Sequence, residues 1–108
     1  MQTNQNVLRA KNMNPYLVQK VMSASPEQLI AYVYEAGITA CAKGDRAKAI
    51  SAVSTLIKAL NFEHKDTAVT FFNVYRYLNR LIYKGKLDEA KKIFSDLKQT
   101  WSQAYKVV

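Results

Sequence analysis

The chain has little of the chemistry that metal centres, disulfide frameworks and most catalytic sites require. It contains one cysteine, Cys41, and one histidine, His64, so it has no internal disulfide and no CxxC or HExxH zinc spacing. It also has no glycine-rich loop of the kind that cradles phosphates. We expect Cys41 to be a buried thiol on an apolar helix face and His64 to be a solvated turn residue. These absences argue against an enzyme and against a bound metal or cofactor.

Helix-breaking residues and long apolar runs are scarce as well. Only 3 glycines and 2 prolines occur in 108 residues, and 49% of the residues are hydrophobic, which favours one all-α domain with its own core. No apolar run approaches the roughly 18 residues that span a bilayer, so no membrane insertion is expected. The N-terminal stretch MQTNQNVLRAKN lacks the apolar segment of a secretory signal, and we therefore expect a cytoplasmic protein.

The stretch VMSASPEQLI, residues 21–30, contains the signals of a helix start. Ser25 and Gln28 form an S-x-x-Q capping box, in which each side chain satisfies a free backbone N–H of the first turn. Pro26 suits the first helical position because its missing N–H has no partner there. Gly44 is expected to end this helix.

Three further helices are predicted, each separated from the last by a short polar turn. Asp45 is a candidate cap for the first of these helices, and Asp66 or Thr67 is a candidate cap for the second. Gly85 is expected to end the second helix. The second of these helices is apolar on nearly two faces, so it needs neighbours on two sides or a ligand on one of them. The predicted spans are residues 46–61, 67–84 and 87–106.

Four helices of this length predict an antiparallel up-down four-helix bundle over residues 23–108. Residues 1–22 form a tail before it. Pro15 disfavours helical geometry at Asn14, so any helix in this tail should be short and broken. The tail is therefore expected to be a flexible or short helical cap.

The net charge of +8 attracts polyanions whether or not that attraction is used. The lysines and arginines are spread along the chain without an RNA-binding signature, which favours a solvated surface over a nucleic-acid site. A basic helical nucleic-acid-associated or adaptor protein remains the alternative interpretation. The seven tyrosines favour a recognition surface, because aromatic anchors with a polar tip line the grooves that take amphipathic peptides.

A set of short motifs occurs in a fixed order over roughly residues 13–105. The motifs are Asn14-Pro15-Tyr16, Val21-Met22-Ser23-Ala24-Ser25-Pro26, Gln28-Leu29-Ile30, Tyr34-Glu35, Ala59-Leu60-Asn61 with Glu63, Tyr75-Arg76-Tyr77-Leu78 with Arg80, and Trp101. In that order they resemble the motifs of the flagellar secretion chaperones, the FliS family. The chain departs from the family pattern at Glu35, at Arg76, which replaces an aspartate, and at Lys65-Asp66, which replaces two glycines.

This resemblance implies a cytoplasmic chaperone without a cofactor. It would bind the disordered C-terminal segment of flagellin, prevent premature polymerisation and deliver the subunit to the flagellar type III export gate, with a co-chaperone as a possible further partner. The cap residues, which would cover the empty groove, are Tyr16, Leu17 and Val21. The candidate groove residues, which periodicity does not separate from core residues, are Leu29, Val33, Tyr34, Ile38, Tyr75, Leu78 and Ile82.

Overall fold

A computed structural model describes residues 15–106, which form five α-helices and contain no strand. The predicted all-α class is confirmed for this part of the chain. Residues 1–14, the larger part of the predicted tail, lie outside the described residues, as do residues 107–108. The helices are α1 (Pro15–Met22), α2 (Pro26–Ala42), α3 (Arg46–Lys58), α4 (Lys65–Tyr83) and α5 (Leu87–Tyr105).

The segment that was predicted to be a tail contains a helix of its own. Helix α1 is a continuous helix of 8 residues that begins at Pro15, where a proline loses no intrahelical hydrogen bond. At its other end the Ser23 hydroxyl donates to the Gln19 carbonyl over 2.8 Å. The described part of the tail is therefore a short helix, one of the two alternatives that were predicted, and the expectation that such a helix would be broken was wrong.

The start of α2 and the two glycine turns are confirmed. The Gln28 N–H donates to Ser25 Oγ over 3.2 Å, and the Ser25 N–H donates to Gln28 Oε1 over 2.9 Å, which completes the capping box. Gly44 and Gly85 have φ angles of +72° and +76°, a left-handed conformation that glycine adopts without strain. Asp45 Oδ1 accepts from the Lys48 N–H over 3.1 Å at the start of α3.

The predicted start of α4 was wrong by two residues. Neither Asp66 nor Thr67 is its cap, because both lie inside the helix, which begins at Lys65. The turn before it is made by Asn61, whose Oδ1 accepts from the Glu63 N–H over 3.0 Å. Asp66 lies in the first turn, where a carboxylate is favoured by the helix dipole. The hydrogen bond that Asn61 accepts in this turn therefore takes the place of the expected cap by Asp66 or Thr67.

The core lies among the four longer helices. Helix α2 packs against α3 and α5, and α4 packs against the same two helices. Gly37 of α2 lies against the ring of Phe94 from α5, and this contact brings the two helices close together. The largest side chains that are fully buried are Tyr34, Phe94, Leu56, Leu78, Ile82 and Val53.

Candidate binding groove

An open apolar groove lies where α1, α2 and α3 meet. Its volume is about 440 Å³, within the range of sites that hold a small molecule or several side chains of a peptide. Its aliphatic wall consists of Val21 from α1, Leu29 and Val33 from α2, and Ala52 from α3. The other lining residues are Tyr32, Ala36, Lys48, Ser51 and Thr55. The groove can therefore hold apolar side chains, while Lys48 supplies a positive charge among its lining residues.

Helix α1 forms one side of this groove. Only three residues separate α1 from α2, and the Ser25 capping box fixes where α2 begins. The Lys20 ammonium group lies 5.1 Å from the centroid of the Tyr32 ring, a distance suited to a cation–π interaction between α1 and α2. Because such contacts at a surface contribute only about 0.5–1 kcal/mol, this contact alone holds α1 weakly in place.

The structure divides the candidate groove residues into three groups. Leu29 and Val33 line the groove, and Leu29 is 38% exposed. Ile38 is half-buried and packs against the core. The remaining four are core residues that an external ligand cannot reach while the helices stay packed: Tyr34, Tyr75, Leu78 and Ile82. Tyr32, Ala36 and Ala52 also line the groove and were not predicted from the sequence.

Tyr34 and Tyr75 form a polar pair inside the core. Their hydroxyl oxygens are 2.8 Å apart in a buried hydrogen bond between α2 and α4, in which either hydroxyl can donate. Burial raises the pKa of both hydroxyls above the ordinary tyrosine value, strongly for Tyr34, and the hydrogen bond raises that of Tyr34 further. The pair therefore stays protonated and neutral at physiological pH, and it connects two helices that lie on opposite sides of the core.

Trp101 joins the end of α5 to the start of α2. Its indole Nε1–H donates to the Glu27 carbonyl oxygen over 2.8 Å, which satisfies the polar edge of a half-buried ring. The same ring lies edge-on to Tyr34, with their centroids 6.1 Å apart. Trp101 thus stabilises the end of α2 that is nearest in sequence to α1.

The three predicted cap residues are placed differently from one another. Val21 lines the groove and is 49% exposed. Tyr16 and Leu17 are 72% and 50% exposed and are not among the groove-lining residues. Among the described residues, Val21 is therefore the cap residue that contacts the candidate site.

Within residues 15–106, neither the cysteine nor the histidine of the chain belongs to a cluster that could bind a metal. Cys41 is buried as expected, and burial raises the pKa of its thiol. His64 is exposed at the start of α4. No cluster of His, Cys, Asp and Glu in this range could hold a metal ion. None of the helices in the same range combines the length and hydrophobicity of a membrane span.

No protein-family model, no curated protein and no solved structure matches this chain. The family resemblance therefore depends on the short motifs alone. Of those motifs, the capping box at Ser25 and Gln28 shapes the edge of the groove, because it sets where α2 begins.

Proposed function

We propose that this protein is a binding module that takes an amphipathic segment of a client protein onto the apolar wall of α2 and α3, displacing α1, whose Val21 covers part of that wall in the empty groove. The client is the disordered C-terminal segment of flagellin, as the motif resemblance implies. Binding would prevent premature polymerisation in the cytoplasm and present the subunit to the flagellar type III export gate. In this proposal α2 to α5 form an antiparallel four-helix bundle, and the protein is not an enzyme.

One observation carries the proposal: a groove with an aliphatic wall stays open to solvent beside a short helix that covers it weakly. A stable domain gains by burying such a surface, so an open groove of this kind suggests an external ligand. Leu29, Val33 and Ala52 offer the apolar contacts that one face of an amphipathic helix would fill. Among the described residues the groove brings together no set of catalytic or metal-ligating side chains, which supports binding over catalysis.

Titration calorimetry against a C-terminal segment of flagellin from the same genome tests the proposal. We expect stoichiometric binding that changes little between low and physiological salt and has a negative heat-capacity change, since burial of apolar surface is little screened. Absence of binding contradicts the proposal. Binding of duplex DNA or RNA that collapses as the salt concentration rises would instead support the basic nucleic-acid alternative.

The variant Leu29→Lys should weaken client binding by roughly tenfold or more, because burying a leucine side chain contributes about 1.5–3 kcal/mol. Leu29 is 38% exposed, so the added charge can remain in water and the fold should be retained. Val69→Lys on α4 is the matched control: Val69 is 40% exposed and receives the same charge away from the groove. Equal affinities of the two variants, measured by the same calorimetry, would show that the client binds elsewhere.

Weakening α1 should have the opposite effect on binding. We expect Val21→Ser to raise client affinity a few-fold, because a segment that occupies the site reduces the fraction of binding-competent molecules. Met22→Ser is the control, since Met22 is 82% exposed and lies outside the groove-lining set. Deletion of residues 1–22 should strengthen binding further or promote self-association of the exposed groove. If calorimetry and light scattering show neither change, α1 does not act as a cap.

A further inference from the structure

The outer face of α4 is a second surface, separate from the groove. We define it by Phe72, Arg76, Tyr77, Arg80, Tyr83 and Lys84. On a helix these positions point away from Tyr75, Leu78 and Ile82, which form the buried side of α4, except that Phe72 is half-buried at the edge of the face. Tyr77 and Tyr83 are 44% and 69% exposed, and both arginines are exposed. Tyr77 and Tyr83 belong to the second apolar face that the sequence predicted on this helix, whereas Leu81 of that predicted face is buried.

The positive charge of this face is not balanced locally. Residues 67–87 contain four basic residues and no aspartate or glutamate. The described residues contain one ion pair, between Lys98 and Glu35, so neither Arg76 nor Arg80 has a carboxylate partner among them. Each guanidinium group instead lies over an aromatic ring of its own helix. The Cζ atom of Arg76 is 5.9 Å from the centroid of Phe72, and that of Arg80 is 5.7 Å from the centroid of Tyr77.

These cation–π contacts do not occupy the N–H groups of the two arginines. Each guanidinium group can therefore still donate two parallel hydrogen bonds to one carboxylate. Arg76, Arg80 and Lys84 are four residues apart, so they lie on one side of the helix with an axial spacing of about 6 Å. An acidic helix with glutamates at the same spacing would present its carboxylates in register.

We infer that the α4 outer face binds an acidic helical segment of another protein through Arg76 and Arg80, with Tyr77 and Tyr83 as its aromatic anchors. The residue types favour a protein over a nucleic acid. Protein interfaces are enriched in arginine and tyrosine and depleted in lysine, and no lysine lies between Lys65 and Lys84. The net charge of +8 disfavours a second copy of this chain as the partner, because it repels the same face.

The test uses the full chain and a fluorescein-labelled synthetic peptide that forms a helix, with glutamates four residues apart and leucines beside them. Fluorescence anisotropy at physiological ionic strength should show binding. Arg76→Gln with Arg80→Gln should weaken it by about tenfold or more, because two bidentate contacts are lost. Lys91→Gln with Lys92→Gln removes the same charge from exposed positions of α5 and should leave the affinity nearly unchanged. Circular dichroism melts of both double variants should match the wild type.

The variant Arg76→Lys with Arg80→Lys separates geometry from charge. This variant keeps both positive charges but loses the planar guanidinium groups, which can each bind a carboxylate through two hydrogen bonds. Binding of the acidic peptide should therefore still weaken. Three results overturn the inference: no binding of the peptide, equal losses in the α4 and α5 double variants, or tighter binding of a labelled oligothymidine strand at the same face. The inference does not depend on the proposed function, because the groove and the flagellin segment are not involved in this experiment.

Discussion

Replacing Tyr34 with alanine is expected to lower the free energy of unfolding by about 3–5 kcal/mol, the range observed for truncation of buried aromatic residues. Tyr34 is fully buried in the core, and its ring packs edge-on against Trp101. Small domains are stable by only about 5–15 kcal/mol, so the variant should lose a large part of its stability. Urea denaturation followed by circular dichroism measures this change. An unchanged midpoint would contradict the core position of Tyr34 and would return it to the candidate groove residues.

The hydroxyl pair allows the polar part of this effect to be isolated. Tyr34→Phe leaves the buried Tyr75 hydroxyl without its partner and should cost about 1–3 kcal/mol. Tyr75→Phe should cost a similar amount for the same reason. The double variant Tyr34→Phe with Tyr75→Phe removes both polar groups together, so its stability should lie close to that of the wild type. Additive losses would show that the two hydroxyls do not depend on each other.

The same pair should make the protein less stable in alkali. The folded protein keeps both protons above pH 10, the ordinary tyrosine pKa, because burial raises the pKa of each hydroxyl. The unfolded chain releases these protons near pH 10, so the contribution is complete below that pH and is lost as the pH rises above it. Denaturation between pH 9 and 11 should therefore show a shallower decline in the double phenylalanine variant than in the wild type. Equal slopes would contradict this linkage.

Gly37→Ala is also expected to destabilise the protein, although alanine is the better helix former. A Cβ atom at Gly37 would lie 2.5, 2.6 and 2.7 Å from three ring carbons of Phe94, well inside normal carbon contact. Phe94 is fully buried, so its ring cannot rotate into solvent to make room. Overpacking of this kind costs about 1–3 kcal/mol, against a gain in helix propensity of up to about 1 kcal/mol. Chemical denaturation of the two proteins measures the balance.

A smaller partner residue should relieve this clash. In the background Phe94→Leu, the substitution Gly37→Ala should cost clearly less than in the wild type, or should stabilise the helix. The four proteins form a double-mutant cycle whose coupling energy reports the contact between α2 and α5. If Gly37→Ala has the same effect in both backgrounds, the ring of Phe94 does not limit the approach of the two helices.

The parts of the fold that depend on local chemistry could be predicted from the sequence. The start of α2 at Pro26 follows from the Ser25 capping box, and the turns at Gly44 and Gly85 follow from the left-handed conformation that glycine tolerates. The start of α4 was missed for a reason of the same kind. Asn61 competes with Asp66 as the polar side chain that organises the turn, and hydrogen-bond geometry decides between them.

The candidate site was less predictable, because an apolar pattern does not say which neighbour covers a residue. Leu29 and Tyr34 belong to the same broad stripe of α2, yet Leu29 lines an open groove and Tyr34 is fully buried. On α3, Leu56 is fully buried, whereas the next residue, Ile57, is buried only in part. Each helix has two neighbours, so its buried side is set by tertiary packing that periodicity does not contain.

The hydrogen bond between Trp101 and the Glu27 carbonyl places the tryptophan where its fluorescence can report on the packing of two helices. Trp101 is the chain's single tryptophan, so all of its indole fluorescence comes from one place, the junction between the end of α5 and the start of α2. Water that reaches the ring when these helices separate would shift the emission to longer wavelength. The emission therefore follows the opening of this junction without a label, and it does so separately from the helix content that circular dichroism records.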